Sequence, residues 1–173
     1  MFRRAWGSIA LAAAAGCSPA LNWREVHPAQ SDATALFPCR PASDSRRVQL
    51  AGRPAEMFIV VCSASGSTFA LSYADVGDPG DVDRALGALR AAAINNVAGS
   101  AHSADGPAIP GATPSPGAAR LRIAGRLPDG KPATMDAVFV ARGTRVFQAS
   151  VISSRAPDAE AVDNFFGGLR LGS

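Results

Sequence analysis

Arg120, Arg122 and Arg126 stand at even positions of one alternating stretch. A period of two puts side chains on one face of a strand. Three guanidinium groups so placed can present donors to a carboxylate or a phosphate, which is the chemistry of docking rather than of turnover. The plainer account of such a row is a solvated outer face. Residues that could support catalysis fall into poorer patterns. Ser65-Gly66-Ser67 lacks the glycine frame of a nucleophile elbow and reads as a hairpin turn. Gly106 and Gly111 have the separation of a phosphate loop, but Ala112-Thr113 follow where Lys and a hydroxyl residue are needed. Asp75, Asp78, Asp81 and Asp83 resemble the start of a calcium loop. Counted from Asp75, Gly80 fills the sixth position, yet Leu86 occupies the twelfth, where a glutamate is required. His27 and His102 stand far from other candidate ligands, and the cysteine spacing matches no zinc motif. No catalytic, cofactor-binding or metal-binding residue follows from these patterns, and no cofactor is expected.

The cysteines carry a different chemistry. Arg3-Arg4 precede a short apolar run, residues 7–15, which ends at Ala14-Ala15-Gly16-Cys17. A basic start, an apolar centre about half the length of a spanning helix and small residues at the end form a secretory leader. The AAGC stop resembles the bacterial lipobox, in which the cysteine thiol takes a diacylglyceryl group and the leader is cut just before it. The resemblance implies removal of residues 1–16 and acylation of Cys17. Several acyl chains give durable attachment where one gives only weak anchoring. Ser18 follows in place of Asp, which by resemblance to bacterial sorting rules favours the outer membrane. Of the three cysteines, Cys39 and Cys62 then remain in an oxidising compartment, free to form a disulfide between adjacent strands or to stay as buried thiols; the disulfide is the expectation.

Net charge excludes one class of partner. The formal charge of +3 includes Arg3 and Arg4, and without them 15 basic residues face 14 acidic ones. A near-balanced chain has no electrostatic footprint for nucleic acid. The expected partners are a membrane, through the N-terminal lipid, and an envelope protein or ligand.

The elements that must position these residues are those of one domain, since 173 residues of which 47% are hydrophobic suffice for a single core. Residues 17–33 read as a tether, whose Trp23 either docks it on the domain, the expectation for a single aromatic, or sits near the lipid headgroups. Residues 34–41 read as a first strand and 47–52 as a half-buried one, broken by Arg53-Pro54. Residues 56–63 are apolar on both faces, the mark of a strand covered on both sides. Residues 68–76 form the next strand. Asp78-Pro79 opens a helix with Val82, Leu86, Leu89, Ala93 and Val97 at helical spacing, closed by Asn95-Asn96 and Gly99. Residues 99–118 are a Pro/Gly-rich loop, functional or mobile at that length. Strands at 120–127, from Met135 and at 145–153 form a meander. A closing helix over 157–166 should turn Ala159, Val162 and Phe166 inward, with Leu169 and Leu171 covering the core. Hairpin-linked runs of strands argue for an antiparallel α+β fold. About six strands in two hairpin-rich halves with two packed helices are expected in residues 34–173.

From Leu36 to Leu171 the chain resembles the PsbP-like (PsbP/Mog-type) superfamily. The pieces that carry the resemblance are Phe37, Pro38 and Pro41, the helix after the first half-sheet, the hairpin at Pro128-Asp129-Gly130, the RVFQASV strand and the tail VDNFFGGLRL. The resemblance implies a central antiparallel sheet with helices on both sides. It transfers no catalytic set, and fold does not give function. The expected activity is that of a lipid-anchored periplasmic binding or assembly-accessory module without catalysis. A small-ligand or lipid carrier is the alternative, and an enzyme the third choice.

Overall fold

The computed structural model describes residues 21–172. The leader, 1–16, and Cys17 lie outside the described residues. Strands β1 (Arg24–Val26), β2 (Ala33–Phe37), β3 (Ala42–Leu50), β4 (Arg53–Ala64) and β5 (Ser67–Asp75) lead to a 3-10 turn (Pro79–Asp81) and helix α1 (Val82–Asn96). Then come β6 (Ser100–Ser103), β7 (Ala119–Arg126), β8 (Pro132–Arg142), β9 (Arg145–Ser153), α2 (Ala159–Gly167) and β10 (Arg170–Leu171). The fold is α+β. One antiparallel sheet has the order β3-β4-β5-β9-β8-β7-β6, so that two meanders join where β5 pairs with β9. A second sheet, β1-β2-β10, is small.

The pleat of the large sheet assigns two cores. Phe69, Leu71 and Tyr73 of β5, Phe147 and Val151 of β9 and Val138 and Val140 of β8 face α2 and the small sheet. Phe165 stands edge-on to both Phe37 and Phe69, at ring separations of 5.3 and 5.4 Å, within the range where aromatic edges attract. On the opposite face, Ile123, Met135, Phe139 and Val146 pack with Val82, Leu86, Leu89, Ala93 and Val97. All five expected α1 positions are therefore buried. In α2 the inner face is Ala161, Val162, Phe165 and Phe166; the helix begins two residues later than expected, and Ala159, its first residue, is exposed.

Local chemistry sets the boundaries. Asp78 accepts from the Gly80 N–H at 2.8 Å with Pro79 beside it, and Asp158 accepts from the Glu160 N–H at 3.0 Å. These carboxylates satisfy donors that helix starts leave unpaired. At the end of α1 the left-handed residue is Ala98 (φ 42°), not Gly99. Gly99 and Gly125 serve close packing instead: a Cβ on Gly125 would overlap the Val97 carbonyl, to which Arg126 N–H donates at 2.6 Å.

The sheet holds more strands than the expected six. Among the described residues there are ten, seven in the large sheet and three in the small one, and the additions have physical causes. β1, β6 and β10 span two to four residues, too short to show a period. β1 pairs with β2 and lies inside the expected tether, and Trp23 packs edge-on to Phe69 at 6.5 Å, so the segment from Leu21 on is docked. β3 starts at Ala42 and is exposed almost throughout, because it is an outer strand; its Asp44, Arg46 and Arg47 are the charges that guard a sheet edge. Pro54 does not break the chain. It lies inside β4, where only β3 is a neighbour because β5 pairing begins at Phe58, and a missing N–H is tolerated on a free side. Cys39 and Cys62 form a disulfide with Cα atoms 6.0 Å apart. It does not join adjacent strands. Cys39 follows β2 and Cys62 faces the α2 side of β4, so the bridge ties the covering layer to the large sheet.

Candidate functional site

β7 lies between β8 and β6, and its even residues share a face with Asp136 and Val138 of β8. That face bears the three arginines, and each is held differently. Arg122 is the direct cross-strand partner of Asp136. Its Nε donates to Asp136 Oδ1 at 2.9 Å, and the carboxylate is 3% exposed where the guanidinium is 62% exposed. Asp136 Oδ2 is buried with no protein donor among the described residues. Arg126 donates to the Gly130 carbonyl at 3.0 Å and clasps the β7–β8 turn. Arg120 lies over the Phe166 ring, 4.7 Å from its centroid. Gly106 covers the same guanidinium, since a Cβ there would overlap it. The row is therefore not a uniform solvated face. Arg122 neutralises a buried charge, Arg126 is structural, and Arg120 is half-buried with no carboxylate in ion-pair range among the described residues.

Two clefts meet at Arg120. One, of about 410 Å³, is apolar and is lined by Pro107, Ile109, Ala112, Ala119, Val138 and Val140. The other, of about 430 Å³, runs along Asp105, Arg122, Thr134, Pro157, Val162 and Asp163. The roof of the first is the loop between β6 and β7. That loop is pinned where Ala104 N–H meets the Arg120 carbonyl (3.0 Å), where Pro110 accepts from Leu171 N–H (2.8 Å) and where Thr113 N–H meets the Ala141 carbonyl (2.7 Å). Further on, Ser115 and the Gly117 N–H hold Asp83, whose carboxyl the Ser115 hydroxyl and then the Gly117 amide keep below the usual carboxylate range. Residues 105–108 take part in no backbone hydrogen bond with other described residues. The expected loop 99–118 is thus a short strand followed by a pinned flap.

The acidic run does not converge. Asp78 caps the helix start, Asp81 pairs with Arg84 at 2.5 Å and lies 3.5 Å from Arg53, and Asp83 holds the loop. Asp75 lies 3.6 Å from Arg145, which also pairs with Asp32 at 3.3 Å. A Thr144 hydrogen bond, the Gly77 N–H and the Arg145 charge hold its carboxyl below its ordinary value. This polar recess beside the β8–β9 turn is internally matched in charge. Ser65 and Gly66 both have positive φ, the signature of a tight hairpin between β4 and β5. His27 contacts Thr34 and Glu25, while His102 stands on β6; among the described residues no three His, Cys, Asp or Glu side chains group to hold a metal. No described helix is long and apolar enough to cross a membrane.

The sequence pattern singled out Arg120, Arg122 and Arg126 but missed Asp136 and the loop roof. One signal for the first was available: Asp136 interrupts an apolar β8 on a buried face, and a buried carboxylate needs a partner. No protein-family model, no curated protein and no solved structure matches this chain.

Proposed function

We propose that the chain is a lipid-anchored binding module of the cell envelope, without catalytic activity and of PsbP-like architecture. Cys17 carries the acyl chains, residues 1–16 are removed, and the domain stands on the periplasmic face of the outer membrane. The face around Arg120 is its binding face. The observation that carries this reading is a half-buried guanidinium at the junction of two clefts, held by a ring and a glycine, with no carboxylate in ion-pair range among the described residues. A desolvated cation attracts an anion more strongly than a solvated one does. Mass spectrometry of the membrane form tests the address, since an unmodified Cys17 or an intact leader refutes it. Crosslinking from Asp105 in whole envelopes tests the face. Recovery of a bound partner should fall in the Arg120→Gln chain, and equal recovery refutes the assignment. Conversion of any substrate by the pure chain overturns the non-catalytic reading. The carrier alternative is favoured by the apolar lining of the first cleft.

A further inference from the structure

We propose that the cleft beneath the 104–118 loop binds a single-chain amphiphile with a carboxylate head, the chain against Ile109, Ala112, Val138 and Val140 and the head on Arg120. This rests on the reading that the Arg120 face is the binding face, and it names the ligand class. Three observations converge on it. First, the lining is nearly all aliphatic, and its one charged group is Arg120. A wholly polar anion would gain nothing from the apolar atoms that the lining still exposes, and a hydrocarbon without a head would leave the cation unmatched. Second, the volume of about 410 Å³ lies near the lower end of small-ligand sites. At ~30 Å³ for each water-sized group, it holds about fourteen heavy atoms, the size of a medium-length chain and not of a two-chain lipid. Third, Asp105 and Asp163 line the cleft on the other side of Arg120. With Arg120 and Arg122 on that side they leave no net positive charge there, so the single guanidinium of the first cleft matches a monoanionic head.

A route in is present. The cleft is open to solvent along one side, and residues 105–108 at its edge make no backbone hydrogen bond to other described residues, so shifting them to widen it breaks none. The pins at Ala104, Pro110 and Thr113 on either side limit that movement to the flap. Gly106 at the contact lets the flap rest on the guanidinium, and a side chain there would push Arg120 aside.

Calorimetric titration of the purified chain tests the proposal, using dodecanoate, dodecanol and dodecyltrimethylammonium below their micellar concentrations. Dodecanoate should bind saturably at one site per chain. Arg120→Gln should weaken it at least tenfold while leaving dodecanol binding unchanged, and the ammonium amphiphile should not bind. Ala112→Trp, which fills the cleft, should abolish binding of both dodecanoate and dodecanol with cooperative melting retained. Absence of saturable dodecanoate binding, or equal binding by the parent chain and Arg120→Gln, overturns the proposal. If dodecanoate fails while envelope crosslinking from Asp105 still depends on Arg120, the ligand class is wrong and the binding face stands. Loss of both removes both.

Discussion

Replacing Cys39 and Cys62 together by Ala should cost the domain about 3.4 kcal/mol. The bridge joins residues 23 apart in sequence. In the chain-entropy model, a closed loop of about that length removes close to 11.5 cal/mol/K from the unfolded ensemble, or ~3.4 kcal/mol at 25 °C. Alanine is chosen because Cys62 is 7% exposed in the core beneath α2, and a serine hydroxyl there would add an unpaired polar group. The assay is thermal unfolding followed by circular dichroism, with and without a phosphine reductant. For a domain of this size each kcal/mol moves Tm by ~2–4 °C, so the double variant should melt ~7–14 °C lower. The parent chain under reductant should fall by a similar amount, and the reductant should not move the variant. The bridge also fastens the β1-β2-β10 layer to β4, so proteolysis near Arg40 should accelerate in the variant before global unfolding. A Tm change below ~2 °C, with alkylation showing the parent bridge oxidised, would refute the loop-closure reasoning.

Other substitutions separate the roles assigned above. Gly87→Ala in α1 meets nothing closer than the tip of Arg90 at 3.9 Å and should stabilise by ~0.4–1 kcal/mol, whereas Gly125→Ala drives a Cβ into the Val97 carbonyl and should destabilise; urea unfolding reads both. Arg122→Gln should cost ~1–3 kcal/mol, because it removes the one donor that the described residues give a buried carboxylate. Arg120→Gln should cost at most ~0.5–1 kcal/mol, the scale of a cation–ring contact, and equal losses in the two variants would contradict the division of the row. Asp75→Asn should lower stability at neutral pH. A carboxyl held down by Thr144, Gly77 and Arg145 contributes stability above its unfolded value near pH ~4 and loses it as pH falls through the folded value, so the gap between parent and variant should close in acid; a gap that widens in acid would show the sign to be wrong.

The fold was legible wherever burial imposed a period. α1 buries every residue that its 3.6 spacing selected, and β9 runs Arg145–Ser153, the span expected of the strand that returns after the turn at Arg142-Gly143-Thr144. Strands without such a period were not legible. β3 is an edge, so six of its nine residues face solvent before the first half-buried one, and its charges reflect protection of the edge rather than a buried face. β1 and β10 exist because β2 offers them a partner, a tertiary cause that two or three residues cannot announce. Pro54 shows the converse. Its sequence signal was a breaker, and only the length of β5 decides that its missing amide has no neighbour to disappoint.

The candidate site was legible as a row and illegible as an arrangement. Alternation puts Arg120, Arg122 and Arg126 on one face, and they do share it, but alternation assigns them the same environment. Their environments differ because β8 sets a buried Asp136 opposite Arg122, α2 brings Phe166 under Arg120, and the β7–β8 turn offers Arg126 a carbonyl. This has a practical consequence. A triple alanine variant, which a uniform surface row would tolerate with little loss of stability, confounds binding with folding here, because the Arg122 change strands a carboxylate in the core. Arg120 is separable from that effect: its guanidinium neutralises no charge among the described residues, so its removal changes what the clefts can hold more than whether the sheet holds together.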